Sequence, residues 1–234
     1  MTRQKGKFIS GAVLSLLLIG LSAAAQAQVI VTNRTSLGAN DSVGWGQLGP
    51  VFSNPSNPSS FTSVGGMTGS VSLSNPNDDF VRRDQGLSGG WGGNFSPGDQ
   101  LLWTNLTPDT MTITLDSPVY GIGANFQQNF YGDFTAQLEA FDSNGNSLGA
   151  FTENGTSNGN GDGSAIFLGV EDNTANIKSI TYSDSGLPND GFAINELGIK
   201  SSSEPVPEPG SLAMLFGAGL PALGFSLRRR FRLA

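Results

Sequence analysis

Short segments of alternating apolar and polar residues, separated by turns rich in Gly, Asn and Pro, dominate the centre of this chain. In one of them, Met111, Ile113 and Leu115 alternate with three threonines. A period of two places the apolar side chains on one face of a β-strand. About ten such segments recur at spacings of roughly 8–12 residues, and none shows a helical period. This pattern predicts an all-β, jelly-roll-like antiparallel β-sandwich over residues 28–203.

Two local features of the predicted sandwich, a hairpin and a β-bulge, can be placed at particular residues. Residues 134–141 and 148–152 alternate on either side of the turn sequence 142–146, which predicts a β-hairpin. The apolar alternation of the last strand changes phase at the dipeptide Asn195-Glu196. One extra residue inserted there, a β-bulge, accounts for the change.

The chain contains neither Cys nor His among its 234 residues. No disulfide can form, so the fold must be stabilised by its core alone. The missing residue types exclude Ser-His-Asp catalysis, His-ligated zinc and imidazole acid–base chemistry. We therefore expect a protein that is not an enzyme. The alternative is a polysaccharide hydrolase that uses two carboxylates.

The central region is acidic. Five basic and seventeen acidic side chains between residues 28 and 203 leave a net charge of −12. This charge disfavours nucleic acid and anionic lipid as partners, since both need a basic surface. The same charge is compatible with a hydrated extracellular matrix. We expect no cofactor, and the alternative is Ca²⁺ bound by oxygen ligands. The charge cluster of Asp78-Asp79 and Arg82-Arg83-Asp84 is expected to be solvated or paired with itself.

Aromatic side chains are the first candidates for ligand contact. Trp45, Trp91 and Trp103, together with Tyr120 and Tyr131, could form a stacking platform for sugar rings. The alternative is that they fill the core, as aromatic residues more often do.

Oxygen-bearing side chains are the second candidates. Asp142, Asn144 and Asn146 offer oxygens at alternate positions, as a Ca²⁺ loop does, but the downstream bidentate Glu of an EF-hand is missing. The same residues are more typical of a hairpin turn. Glu196, at the predicted bulge, could bind a metal ion or sugar hydroxyls, or it could face solvent at a sheet edge.

Residues 1–27 have the form of a secretory signal peptide. Basic residues precede an apolar run that ends at Ala25-Gln26-Ala27, an A-x-A cleavage site. We predict a helical signal peptide, cleavage after Ala27 and export through the inner membrane. The alternative is an uncleaved N-terminal anchor.

Residues 204–234 combine a rigid break, an apolar run and a basic tail. Pro207-Glu208-Pro209 is expected to be extended, because proline fixes φ and restricts the residue before it. Residues 211–227 carry no charge and would span about 26 Å as a transmembrane helix. The basic side chains of the tail should stay on the cytoplasmic side of the membrane, namely Arg228, Arg229, Arg230 and Arg232.

This order of elements resembles the PEP-CTERM sorting signal. The resemblance implies recognition by an exosortase, a membrane-embedded cysteine peptidase-like enzyme, in a bacterium that makes extracellular polysaccharide. It also implies a C-terminal membrane anchor before processing, and the cell surface or the extracellular matrix as the destination. Central segments such as Phe192-Ala193-Ile194-Asn195 resemble the mostly uncharacterised ectodomains joined to such tails. That second resemblance implies a sandwich and transfers no activity.

These observations together favour an exported surface or matrix protein whose sandwich binds extracellular polysaccharide. The two alternatives are the carboxylate-dependent hydrolase and a structural spacer without a ligand. An exposed row of aromatic side chains on one sheet would favour the sugar-binding protein.

Overall fold

The computed structural model describes residues 28–86, 88, 90–185 and 191–202. This part of the chain forms two antiparallel β-sheets and two short 3-10 helices, Arg34–Leu37 and Trp45–Leu48. The all-β prediction is therefore confirmed. The predicted signal peptide, the Pro-Glu-Pro segment, the transmembrane helix and the tail arginines lie outside the described residues. Within the described residues, no helix is long and apolar enough to cross a membrane.

Fourteen strands follow one another along the described chain: β1 (Val29–Val31), β2 (Asp41–Val43), β3 (Ser59–Thr62), β4 (Thr68–Leu73), β5 (Val81–Asp84), β6 (Gln100–Trp103), β7 (Met111–Val119), β8 (Gly121–Gln128), β9 (Gly132–Phe141), β10 (Ser147–Ser157), β11 (Ile166–Glu171), β12 (Ile177–Asp184), β13 (Phe192–Ile194) and β14 (Leu197–Lys200). One sheet has the order β10-β9-β12-β7-β4-β3. The other has the order β1-β11-β8-β13-β6-β5, and β14 pairs with both β2 and β8.

The strand pairings are nested around a central hairpin. β9 pairs with β10, β8 with β11, β7 with β12 and β6 with β13, all antiparallel. Successive pairs in this series alternate between the two sheets. A long hairpin folded back on itself in this way is the jelly-roll arrangement, which agrees with the predicted jelly-roll-like sandwich. The strand pairing itself was not predicted.

The core lies between the two sheets. Met111, Ile113 and Leu115 are fully buried in it, as their period-two alternation predicted. Phe126 is at its aromatic centre, with its ring centroid 4.5 Å from that of Phe192. The rings of Phe134 and Tyr182 lie 5.8 Å and 6.0 Å from Phe126. The two sheets are thus joined by aromatic contacts as well as by aliphatic packing.

The predicted hairpin at residues 142–146 is confirmed. It connects β9 and β10, and Gly145 adopts a positive φ of 79° that favours glycine. Asp142 Oδ1 accepts hydrogen bonds from the backbone N–H groups of Asn144 and Asn146, each at 2.8 Å. The carboxylate therefore stabilises the turn by bonding to the turn's own donors.

Replacing Asp142 with alanine is expected to lower the melting temperature of the sandwich. Hydrogen bonds from the side chain and backbone of Asn146 lower the pKa of Asp142, so the folded state favours its carboxylate. This stabilisation is present at neutral pH and is lost as the pH falls through the lowered pKa. The difference in melting temperature between the wild type and the variant should therefore shrink on acidification. Thermal unfolding between about pH 7 and pH 3 measures it. Added Ca²⁺ that stabilises the wild type alone would instead support the ion-binding alternative.

The charge cluster of β5 is paired with itself, but its first arginine is not solvated. Arg82 is only 1% exposed. Its guanidinium donates to the backbone oxygens of Arg83 and Leu101 and to Asp84 Oδ1 at 2.9 Å. Backbone carbonyls of β5 and β6, together with Asp84, thus surround this guanidinium in place of water.

Both ends of the described chain lie at the same end of the sandwich. Val29, at the start of β1, pairs with Glu171, and Lys200, at the end of β14, pairs with Gly121. The Nζ atom of Lys200 lies 2.6 Å from the carboxylate of Glu171, which links the end of β14 to β11, the strand that pairs with β1. The opposite end of β8, at Gln128, is roughly 23 Å away at 3.3 Å per residue.

Candidate functional site

The outer face of the eight-stranded sheet carries polar side chains at alternate positions of β8. Phe126 points into the core, so Asn125 and Gln127 emerge on the other side. Residues 90–99 fold over this outer face and form a second, smaller apolar cluster, in which Trp91 and Phe95 pack with residues of β6. One opening lies on each side of this covering segment.

The first opening is a polar cleft of about 780 Å³. Its lining includes Arg34, Asp99, Gln100, Asn125, Asn195 and Glu196. We call it the polar cleft. A ligand in this cleft would be bound mainly by hydrogen bonds, because the aromatic side chains in the wall, Phe95 and Phe167, are buried.

A β-bulge positions two of these residues, as the sequence predicted. Ile194 pairs with Phe126, whereas Gly198 pairs with Gly123. Four steps along one strand therefore match three along its neighbour, which leaves one extra residue at Asn195-Glu196. The backbone N–H of Asn195 still donates to Asn125 O at 3.1 Å. The insertion thus turns the Asn195 and Glu196 side chains into the cleft wall.

Arg34 is fixed in the cleft by three hydrogen bonds. Its Nε atom donates to Asn125 Oδ1 at 2.9 Å. Its Nη2 atom donates to Asn195 Oδ1 at 2.7 Å and to Glu196 O at 2.6 Å. The guanidinium carbon lies 5.3 Å from the ring centroid of Phe167, a cation–π contact. The guanidinium plane therefore has a defined orientation before any ligand arrives.

The remaining donors of Arg34 are open. Within the described residues, Nη1 makes no hydrogen bond and lies 3.8 Å from Glu196 Oε1. Burial lowers the pKa of Arg34, and the nearby carboxylate of Glu196 opposes this effect. The Glu196 side chain is 57% exposed, so its acceptors are open to solvent. The two groups thus form an ion pair at a separation that is too long for a hydrogen bond, so both can still bond to a ligand.

Asn195 also links the cleft to its opposite wall. Its Nδ2 atom donates to Asp99 Oδ2 at 2.9 Å, while its Oδ1 atom accepts from Arg34 and from the Asn125 backbone N–H. All polar atoms of this amide are therefore used within the protein. Asn195 positions its neighbours and offers little to a ligand.

The second opening is a cavity of about 400 Å³ lined by aromatic side chains. We define the aromatic surface by Arg83, Trp91, Trp103, Phe130 and Tyr131, all of which line this cavity. The rings of Trp91 and Trp103 meet edge to face, with centroids 5.7 Å apart. Phe130 is 48% exposed and Tyr131 is 64% exposed. Apolar ring faces are thus presented to solvent next to a guanidinium.

The aromatic surface is held in place by the covering segment and by β8. Trp91 Nε1 donates to Gln127 Oε1 at 3.1 Å, and Tyr131 Oη donates to Gly92 O at 2.6 Å. A Cβ atom on Gly93 would lie 2.2 Å from Trp91 Nε1, so only glycine fits beside the indole. The ring positions are therefore set by packing and hydrogen bonds.

The residues predicted from the sequence as ligand contacts divide between several places. Trp91 and Trp103 lie at the base of the aromatic surface and are only 6% and 8% exposed, so Tyr131 is the exposed ring among the predicted contacts. Trp45 is fully buried, donates to Asn195 O at 2.7 Å and packs edge to face on Phe61. It therefore belongs to the core and presents no face to a sugar.

The predicted metal ligands lie in two separate places. Asp142, Asn144 and Asn146 form the turn described above, and Glu196 lines the polar cleft. No three Asp or Glu side chains in the described part of the chain are placed to hold a metal ion together. Pro207, Glu208, Pro209, the tail arginines, Ala25 and Ala27 lie outside the described residues.

Sequence reasoning missed Arg34, Asp99 and Asn125 as members of the polar cleft. One signal was available for Arg34, which is among only five basic residues between positions 28 and 203. A cation in so acidic a region is expected to pair with a carboxylate or to contact a ligand. No such signal marks Asp99 or Asn125, because polar residues are common in this chain.

Comparison with known families matches residues 205–230 to the PEP-CTERM protein-sorting motif. The match includes Pro207, Glu208 and Pro209, and it confirms the resemblance seen in the sequence. The motif implies export, C-terminal anchoring and cleavage by an exosortase. None of the curated proteins matches this chain.

Two solved structures show a low similarity to the sandwich. CsCBM6-3 from Clostridium stercorarium, solved in complex with cellobiose, is 14% identical, with 56% of this chain and 87% of that chain covered at a TM-score of 0.31. A DUF4465 family protein from Bacteroides caccae is 12% identical, with 75% of this chain and 100% of that chain covered at a TM-score of 0.37. Similarity at this level carries no inference about ligands, so function is argued from the site itself.

Proposed function

We propose that this chain is an exported protein of the bacterial cell surface or extracellular matrix whose sandwich binds extracellular polysaccharide. An exosortase recognises its C-terminal tail, and the helix at residues 211–227 holds it in the membrane before processing. The sorting motif at residues 205–230 supports the first part of this proposal. The aromatic surface supports the second.

One observation carries the proposed binding. The aromatic side chains that are exposed within the described residues are Phe52, Phe130 and Tyr131. Phe130 and Tyr131 belong to the aromatic surface, and Phe52 adjoins it through Arg83. The guanidinium carbon of Arg83 lies 5.1 Å from the ring centroids of both Phe52 and Trp103. The most exposed aromatic side chains of the described residues are therefore gathered in one place.

Sugar rings match such a surface because they have apolar C–H faces and polar edges. Exposed Tyr and Phe rings supply the apolar contact. Arg83 supplies donors for hydroxyl oxygens at the rim. The aromatic surface thus combines stacking area with directional donors, as a site for a small polar ligand requires.

Replacing Tyr131 with alanine is expected to weaken polysaccharide binding about tenfold, the usual effect of truncating an aromatic residue at the centre of an interface. The measurement is affinity electrophoresis of the full chain in detergent, in gels that contain soluble glucan, mannan or xylan, or exopolysaccharide purified from the producing bacterium. Tyr131→Phe keeps the ring and should bind nearly as well as the wild type.

Tyr120→Ala is the matched control, because Tyr120 lies at the opposite end of β8. It should bind as the wild type does. Failure of the wild type to bind any of these polysaccharides would contradict the proposed function. Equal binding by Tyr131→Ala and the wild type would show that the aromatic surface is not the site.

We propose binding rather than catalysis. Asp99 and Glu196 both line the polar cleft, so a pair of carboxylates is present. Asp99 Oδ2 is already used as an acceptor by Asn195 Nδ2 at 2.9 Å and by the Ser96 backbone N–H at 3.2 Å. These hydrogen bonds support a positioning role for Asp99. We expect no release of reducing ends from the bound polysaccharide, and such release, lost in Asp99→Asn and Glu196→Gln, would favour the hydrolase.

A further inference from the structure

The polar cleft lies on the same face of the sheet as the aromatic surface. Asn125 of β8 lines the cleft, and Asn129, just after β8, lines the aromatic surface. Four residues of extended chain separate them, which corresponds to roughly 13 Å. The two openings therefore follow one another along a single strand, with residues 90–99 between them.

The cleft is built to present hydrogen-bonding groups rather than apolar area. Arg34 has three of its five N–H groups fixed to Asn125, Asn195 and Glu196 O, which leaves the Nη1 pair open. The exposed carboxylate of Glu196 lies 3.8 Å from this pair. A donor and an acceptor at this separation match two adjacent hydroxyl groups, one accepting from Arg34 and the other donating to Glu196. Because Arg34 is already held in place, little ordering entropy remains to oppose binding.

The charges of the cleft favour an uncharged ligand. Arg34 is its one cation among the lining residues, and Asp99 and Glu196 are two carboxylates. The region from 28 to 203 has a net charge of −12. A sugar acid would therefore be repelled, whereas neutral hydroxyl groups would not.

We infer that the polar cleft is a second sugar site, which binds neighbouring hydroxyl groups of an uncharged unit of the same polysaccharide that stacks on the aromatic surface. This inference rests on the proposed function. The bound polysaccharide then lies along β8 and contacts both openings. Arg34 and Glu196 make the direct contacts, and Asn125 and Asn195 orient Arg34.

The test compares short and long ligands on the full chain in detergent. The probes are disaccharides and hexasaccharides of glucose, mannose and xylose, with affinity measured by calorimetry. Only the hexasaccharide can reach from one opening to the other. Glu196→Gln is expected to weaken hexasaccharide binding about tenfold and to leave disaccharide binding unchanged. Arg34→Gln should do the same, and Lys178→Gln, which removes a cation elsewhere, should have no effect.

Folding and binding are separated by the choice of variants. The Glu196 side chain is 57% exposed, so an unchanged melting temperature in Glu196→Gln shows that any loss of affinity is local. Hexasaccharide affinity that is unchanged in both variants, but lowered in Tyr131→Ala, would overturn the second site and leave the proposed function standing. Tighter binding of a polyuronate hexasaccharide than of the neutral ones would overturn the stated ligand class. A wild type that binds none of the probes would remove both proposals.

Discussion

Replacing Phe126 with alanine should lower the free energy of unfolding by about 3–5 kcal/mol, the usual cost of removing a buried aromatic side chain. Phe126 is 0% exposed and its ring meets those of Phe134, Tyr182 and Phe192. These partners come from both sheets. The cavity left by alanine would therefore weaken the contact between the sheets, because close-packed neighbours relax only partly into it.

The measurement for this prediction is urea unfolding followed by tryptophan fluorescence. Phe130→Ala removes the same side chain from a position that is 48% exposed, and it should change the unfolding free energy far less. Phe126→Leu removes less volume and should fall between the two. Equal losses in Phe126→Ala and Phe130→Ala would show that the aromatic centre does not hold the sheets together.

Replacing Tyr182 with phenylalanine should cost about 2–4 kcal/mol at neutral pH, although only one oxygen is removed. Tyr182 projects from β12 across the core to the opposite sheet. Its hydroxyl donates to Leu168 O at 2.7 Å and accepts from Ala124 N at 3.0 Å. Leu168 and Ala124 are partners in the pairing of β11 with β8. The variant would remove both hydrogen bonds from buried backbone groups, and each group left unsatisfied costs about 1–3 kcal/mol.

The same tyrosine should also make the wild type sensitive to alkali. Burial raises the pKa of Tyr182 well above its ordinary value. The unfolded chain therefore loses this proton above about pH 10, while the folded chain keeps it. Wild-type stability falls as the pH rises past that point, and Tyr182→Phe lacks this loss. The difference in unfolding free energy between the wild type and Tyr182→Phe should therefore shrink as the pH rises from about 9 to about 11.

Urea unfolding of both proteins at several pH values tests this pair of expectations. Tyr120→Phe is the control, because the Tyr120 hydroxyl makes no hydrogen bond within the described residues and Tyr120 is only half-buried. An unchanged unfolding free energy in Tyr182→Phe at neutral pH would mean that the hydroxyl does not bridge β8 and β11. A difference that stays constant up to pH 11 would contradict the pKa argument.

Local pattern predicted much of the fold. The alternation at residues 111–115, the hairpin at 142–146 and the bulge at Asn195-Glu196 all appear where the sequence placed them. Each rests on a physical rule that needs only neighbouring residues: a period of two, the backbone preferences of turn residues, or a change of phase. The sorting motif at residues 205–230 is equally local, since it depends on the order of a short set of elements.

Burial was harder to predict, because chemistry alone does not show where a side chain lies. Trp45 and Tyr131 are both aromatic, yet Trp45 is fully buried and Tyr131 is 64% exposed. The sequence left open whether Arg82 is solvated or paired within its own cluster, and the structure pairs it with Asp84 and encloses it with backbone carbonyls of β5 and β6. These outcomes depend on which strands become neighbours, and that information is not carried by any short segment.

The amino-acid sequence by itself determined the all-β class, the hairpin turn, the bulge, the missing imidazole and thiol chemistry, and the sorting tail. Only the tertiary structure decided that Arg34 would meet Asn195, 161 positions away, and that the exposed aromatic rings would gather at one end of β8. It also placed both ends of the described chain at the other end of the sandwich. The physical reason is that strand pairing joins distant segments, and the nested pairing of a jelly roll is settled by the packing of two whole sheets.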